Sequence, residues 1–99
     1  MAAYVIATYD IADPRGYEAY ASSIRPLLQK HRGEILVADR HADTLDGQPR
    51  SVYVVLQFET EQAARAWYED PEYRAPKELR IASTRNASLV LAKGFVPPA

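Results

Sequence analysis

His31 and His41 are the only imidazoles in the chain, ten residues apart on different expected elements. No His-x-x-His or His-Glu-x-x-His spacing occurs. A zinc site needs three or four N, O or S ligands, so no metal site is expected. A haem would need an axial ligand, and His31 on an apolar helix face is the one candidate. A lone histidine at a helix end more commonly meets the helix dipole or packs. The chain has no cysteine, which excludes disulfides, thiolate catalysis and Cys-based zinc or iron–sulfur sites. Seven tyrosines and one tryptophan are many for 99 residues. Tyr17, Tyr20, Trp67, Tyr68 and Tyr73 fall on helical faces, where each ring can fill core with its polar tip toward water. As a group they also make an aromatic wall for a flat organic ligand. Arginine dominates the twelve basic residues. Arg74, Arg80 and Arg85 can hold an anionic ligand. They can equally pair with Glu69, Glu72 and Glu78 on the surface, where ion pairs contribute little. Gly16, Gly33, Gly47 and Gly94 form no phosphate-binding loop, and no Ser/His/Asp set stands out by spacing.

These side chains need elements to hold them. Tyr4 to Ile11 is rich in β-branched and aromatic residues and reads as a strand. Asp13-Pro14 starts a helix: the carboxylate caps free N–H groups, and proline at the first position has no N–H to lose. Tyr17, Tyr20, Ala21, Ile24, Leu27, Leu28 and His31 recur at three- and four-residue spacing and form its apolar face. Pro26 lies inside and is expected to kink the last turn; Gly33 is placed to close the helix in a left-handed cap. Glu34 to His41 and Val52 to Glu59 read as strands joined by a long loop with an Asp46-Gly47 turn. Thr60 caps a second helix with an apolar face of Ala64, Trp67, Tyr68 and Pro71. Asp70-Pro71 opens a further short helical turn carrying Tyr73 and Leu79. Asn86 to Phe95 is the last strand. The order β-α-β-β-α-β is the ferredoxin-like, α+β pattern. It implies a four-stranded antiparallel sheet of order 4-1-3-2 with two main helices on one face, in one domain over residues 1–99.

The strand faces carry a further signal. Val52, Val54, Leu56 and Phe58 alternate with Tyr53, Val55, Gln57 and Glu59. Val5, Ala7, Tyr9 and Ile11 alternate with Tyr4, Ile6, Thr8 and Asp10. Leu89 and Leu91 oppose Val90 and Ala92. One face of each strand should lie under the helices. The second is too apolar for bulk water, and a second copy of the same sheet is the economical cover. A homodimer through the sheet faces is expected.

Tyr4–Ile11 with Asp13 and Tyr17-x-x-Tyr20, and above all Arg65-Ala-Trp-Tyr-Glu-Asp-Pro-Glu-Tyr73 followed by Lys77-Glu-Leu-Arg80, resemble the domain of unknown function 1330 family of the dimeric α/β-barrel superfamily. The resemblance covers nearly the whole chain. It implies a ferredoxin-like protomer whose sheet packs on a partner's sheet to form a barrel, and it supplies no activity. Relatives in the wider superfamily include cofactor-free monooxygenases, haem-degrading enzymes, muconolactone isomerases and chlorite dismutases. No motif here matches their functional residues.

Composition narrows the partners. Twelve basic and thirteen acidic residues leave a net charge of −1, unlike the basic excess of a nucleic-acid domain. No apolar run approaches the ~20 residues of a membrane span. The opening Met-Ala-Ala-Tyr-Val-Ile has no positive region before its apolar stretch and is not expected to be a signal peptide; a cytoplasmic protein is expected. The function read from these features is binding of a small organic ligand in a pocket beside the sheet, with no cofactor. The alternative is a cofactor-independent monooxygenase or isomerase acting on an aromatic or polyketide-like substrate, which would need a general base in a dry pocket. The candidate site follows from strand order. The end of the first strand lies beside the start of the third and the end of the second. That gathers Asp10, Tyr53 and either Arg40 or His41 at one sheet edge, with Asp10 and Tyr53 facing away from the helices. Partial burial would raise the Asp10 pKa.

Overall fold

The structure is a computed structural model that describes residues 1–98; residue 99, the last of the expected domain, lies outside them. Strand β1 (Ala3–Ile11) is followed by helix α1 (Pro14–Lys30), strands β2 (Glu34–Asp39) and β3 (Val52–Phe58), helices α2 (Glu61–Glu69) and α3 (Arg74–Ser83), and strand β4 (Thr84–Lys93). The sheet is antiparallel throughout, in the expected order β2-β3-β1-β4. The strand periodicity also holds. Ala3, Val5, Ala7 and Tyr9 are buried with Val52, Leu56 and Phe58, and alternate residues are half-exposed.

Local chemistry explains most element ends. The Asp13 carboxylate accepts from the Arg15 N–H at 3.2 Å, and Thr60 Oγ1 accepts from the Ala63 N–H at 3.0 Å. Each satisfies a donor that the helix start leaves free. Asp70 does the same for a single 3-10 turn, Pro71–Tyr73, accepting from the Glu72 N–H at 2.9 Å. That turn leads into α3, ten residues of helix where the sequence suggested only a short turn. Arg74-Ala-Pro-Lys gives little periodic signal, and α3 is held by packing on α1. α2 is correspondingly shorter: Ala64 and Trp67 are buried, while Tyr68 is exposed and Pro71 has left the helix. β2 ends at Asp39, so Arg40 and His41 fall in the loop; β4 runs from Thr84 to Lys93, two residues earlier at each end than expected.

α1 continues through Pro26 as one element. Its C-terminus differs from expectation. The left-handed residue is Arg32, at φ 58°, and not Gly33. The Gly33 N–H donates to the Leu28 carbonyl at 2.8 Å and the Arg32 N–H to that of Gln29 at 3.2 Å, the Schellman pattern with its left-handed position at 32. Gly33 is required for space: a Cβ there would stand 2.8 Å from Phe58 Cε1 and 3.0 Å from Leu28 Cδ2. An L-residue in the left-handed region is strained, so Arg32→Gly is expected to stabilise the fold by about 0.5–1 kcal/mol after the entropy of the freer unfolded chain is counted. Urea unfolding with an unchanged or lower midpoint would contradict this.

The molecule measures 46 × 36 × 16 Å, the thickness of one sheet and one helix layer. Its accessible surface, 6709 Å², exceeds the roughly 5,700 Å² typical of a monomer of 11.1 kDa. The long loop and the chain ends account for part of the excess. The sheet face turned from the helices carries Ile6 opposite both Val55 and Val90.

Candidate functional site

Asp10, Tyr53 and either Arg40 or His41 are expected at one sheet edge, and the structure brings Asp10, Arg40 and His41 around one depression that Tyr53 does not line. Asp10 sits at the end of β1, and both its oxygens are engaged. Oδ1 accepts from the Ser51 N–H at 2.9 Å and the Ser51 hydroxyl at 3.3 Å, and Oδ2 accepts from Asn86 Nδ2 at 3.1 Å. It ties the entrances of β3 and β4 to β1. The expected rise in its pKa is corrected: the Asn86 amide, then the Ser51 backbone N–H, hold the carboxyl below its ordinary range. Tyr53 is half-buried on the same outer face, opposite Thr8. Arg40 turns toward the helices, pairing with Glu18 of α1 and stacking 4.9 Å above the Tyr17 ring. His41 is exposed, its backbone N–H donating to Asp39 Oδ1 at 2.8 Å. Asp10, Arg40 and His41 border one shallow surface depression with Arg50 and Ser51, and Tyr53 is not part of it.

Arg40 also lines a deeper feature, a cavity of ≈ 130 Å³ between α1 and the inner face of the sheet. Tyr9, Tyr17, Tyr20 and Trp67 supply its aromatic wall, Ile24, Val54 and Leu56 its aliphatic wall, and the exposed Arg25 and Arg40 also line it. A hollow of ≈ 220 Å³ between α2 and β4 is lined by Ala64, Arg65, Tyr68 and Leu91. In the core the tyrosines form two hydroxyl pairs, Tyr9 with Tyr17 at 2.7 Å and Tyr20 with Tyr73 at 3.2 Å. Burial, reinforced by the partner phenol, pushes Tyr9 and Tyr20 far above the ordinary tyrosine pKa. Both are neutral hydrogen-bonding groups at any physiological pH, and neither can act as a base.

Arg80 is the residue that sequence reasoning misplaced. With Arg74 and Arg85 it is expected either to hold an anionic ligand or to pair with Glu69, Glu72 or Glu78 on the surface. Instead it is 5% exposed, because α3 packs against α1. Arg74 and Arg85 do lie on the surface. The spacing Tyr73 to Arg80, seven residues or two helical turns, was the available signal that both share one face.

His31 is engaged elsewhere. It follows the last turn of α1, and its Nε2 lies 2.7 Å from Asp70 Oδ2, which also receives Lys30 Nζ at 2.9 Å. This joins the end of α1 to the start of the 3-10 turn. Among the described residues no three His, Cys, Asp or Glu side chains gather in a metal-binding group. Lys30, then His31, depress the Asp70 pKa. A carboxylate with a lowered folded pKa stabilises above its unfolded pKa, about 3.9, and that contribution fades as pH falls through the folded value. Asp70→Asn is therefore expected to flatten the acid limb of a stability–pH curve below about pH 4. Parallel acid limbs for the two proteins would count against it.

The chain matches, over residues 2–95, the family described as "Domain of unknown function (DUF1330)". This chain belongs to the DUF1330 family. Solved structures agree on its fold. A protein of unknown function from Rhodopseudomonas palustris is 16% identical with a TM-score of 0.82, over 97% of this chain and 84% of that one. A dimeric ferredoxin-like protein of unknown function from Jannaschia sp. is 16% identical with a TM-score of 0.78, over 95% and 100%. SnoaB, a cofactor-independent oxygenase from Streptomyces nogalater, is 11% identical with a TM-score of 0.67, over 97% and 95%. No curated protein matches the chain. This DUF1330 chain is thus a ferredoxin-like domain, and none of its described helices is long and apolar enough to cross a membrane.

Proposed function

We propose that this DUF1330 protein is a homodimer, one domain per chain, that binds a small organic ligand in the cavity between α1 and the sheet. The observation that carries the ligand reading is the cavity itself, whose apolar and aromatic walls converge on a few polar groups, the usual make-up of a ligand site. Arg40 lines both this cavity and the depression bordered by Asp10 and His41, which supports a role for those residues at its approach. Tyr53 faces the partner sheet. The dimer reading rests on the half-exposed apolar outer face and on structural neighbours described as dimeric. A cytoplasmic location goes with it, as does the lack of any cofactor requirement.

The second reading, a cofactor-independent monooxygenase or isomerase, is favoured by the shared fold of SnoaB. It needs a general base. The titratable groups lining the cavity are phenols and guanidiniums, and these supply none at neutral pH. Binding is therefore the better reading. A thermal-shift screen against aromatic acids, quinols and haem tests it, because a ligand that binds only the folded state raises the melting temperature. Aromatic acids or quinols should raise it. No shift with any ring compound would remove the ligand reading. Oxygen uptake with a quinol would instead favour the oxygenase.

A further inference from the structure

The polar groups at and behind Trp67, one of the residues lining the cavity, are unbalanced. Trp67 lines the cavity, is 1% exposed, and its indole Nε1–H meets no acceptor among the described residues. Arg80 is 5% exposed, and its Nε–H is likewise without a partner. No carboxylate among the described residues lies within ion-pair distance of its guanidinium. Buried donors are nearly always paired in folded proteins, and buried charges are nearly always compensated. The two orphans are neighbours through one residue. The Tyr73 ring packs on Trp67 with centroids 4.6 Å apart, and its hydroxyl bonds that of Tyr20, which also lines the cavity. Tyr73 and Tyr20 are among the groups that act on the Arg80 charge. The Tyr73 hydroxyl faces the Arg80 guanidinium and shares a hydrogen bond with that of Tyr20, and phenol oxygens accept as well as donate; the indole N–H and the Arg80 Nε–H still lack an acceptor among the described residues.

We infer that the ligand is a single flat ring bearing an anionic oxygen, a carboxylate or a phenolate. Its oxygen accepts from Trp67 Nε1–H and the Tyr20 hydroxyl, and the positive charge of Arg80 behind Tyr73 stabilises it. Arg80 acts through these neighbours and is a positioning residue. Size agrees: a cavity of about 150 Å³ holds a benzene ring, and this one measures ≈ 130 Å³. The inference rests on the cavity reading above and adds the charge of the occupant.

The probes are benzoate, 4-nitrophenolate and the neutral benzyl alcohol, titrated into the full-length protein. Trp67 is the only tryptophan, so its indole N–H gives one NMR cross-peak. Benzoate or nitrophenolate should bind about ten-fold tighter than benzyl alcohol and move that peak downfield, as a new acceptor does. Whichever anion binds better separates the carboxylate from the phenolate. In Arg80→Met the preference for the anion should fall to near one while benzyl alcohol binds as before; Arg80→Lys should keep most of it. A merely structural Arg80 would weaken all probes alike. If Arg80→Met does not fold, the wild-type preference and the indole shift decide. Benzyl alcohol binding as tightly as both anions overturns the inference and leaves the cavity reading standing. No binding by any probe, with an unmoved indole peak, overturns both.

Discussion

Trp67→Ala is expected to cost about 3–5 kcal/mol of folding stability. Trp67 is 1% exposed and lies in the middle of an aromatic cluster, with Phe58 at 5.7 Å and Tyr73 at 4.6 Å between centroids. Its removal takes away the contact that fastens α2 to β3 and to the 3-10 turn. The void would open into a cavity already present beside it, so the surroundings can do little to refill it. A small domain has about 5–15 kcal/mol of stability in all, and the variant should be close to unfolded at 37 °C. Trp67→Phe should cost far less, since it keeps ring packing and the lost N–H has no partner among the described residues. Urea unfolding followed by circular dichroism measures both. An alanine variant within 1 kcal/mol of wild type, a small change for a core aromatic, would mean that the indole is not in the core.

The second large effect is expected at the opposite face. Ile6 stands at the centre of the sheet surface turned from the helices, opposite Val55 on one side and Val90 on the other. Val90 is 50% exposed and Ile6 is half-exposed in the isolated chain. In the proposed dimer a lysine there would place an ammonium in the middle of an apolar interface, which is costly without a counter-charge. Ile6→Lys is expected to convert a two-chain particle into a single chain by light scattering. It should remain folded, because its neighbours Val5 and Ala7 supply the core on the other side of the strand. A wild-type mass near one chain at micromolar concentration would end the dimer reading, and an Ile6→Lys protein that stays dimeric would move the interface elsewhere.

Much of the architecture was legible because its causes are local. Asp13, Thr60 and Asp70 announce helical starts by cap chemistry that depends on only two or three following residues. Alternation along Val52–Phe58 and Ala3–Ile11 sorts side chains to two faces whatever the partner strand, since the strand period is two. The apolar character of both faces follows from the same pattern. Four decisions belonged to tertiary structure. The left-handed turn at Arg32 rather than Gly33 comes from the need to bring β2 past Phe58, where Gly33 has no room for a Cβ. The irregularities between Ile35 and Val37 and between Thr8 and Asp10 are set by pairing with β3 and β4, and no residue pattern marks them. β2 stops at Asp39, which lets Arg40 reach Glu18 and the Tyr17 ring on the helix side while it still borders one depression with Asp10. The burial of Arg80 arises because α3 packs on α1, joining Tyr73 to Tyr20 across 53 residues of chain. A charged residue between Leu79 and Ile81 reads locally as solvent-facing. Only the docking of two helices far apart in sequence removes it from water.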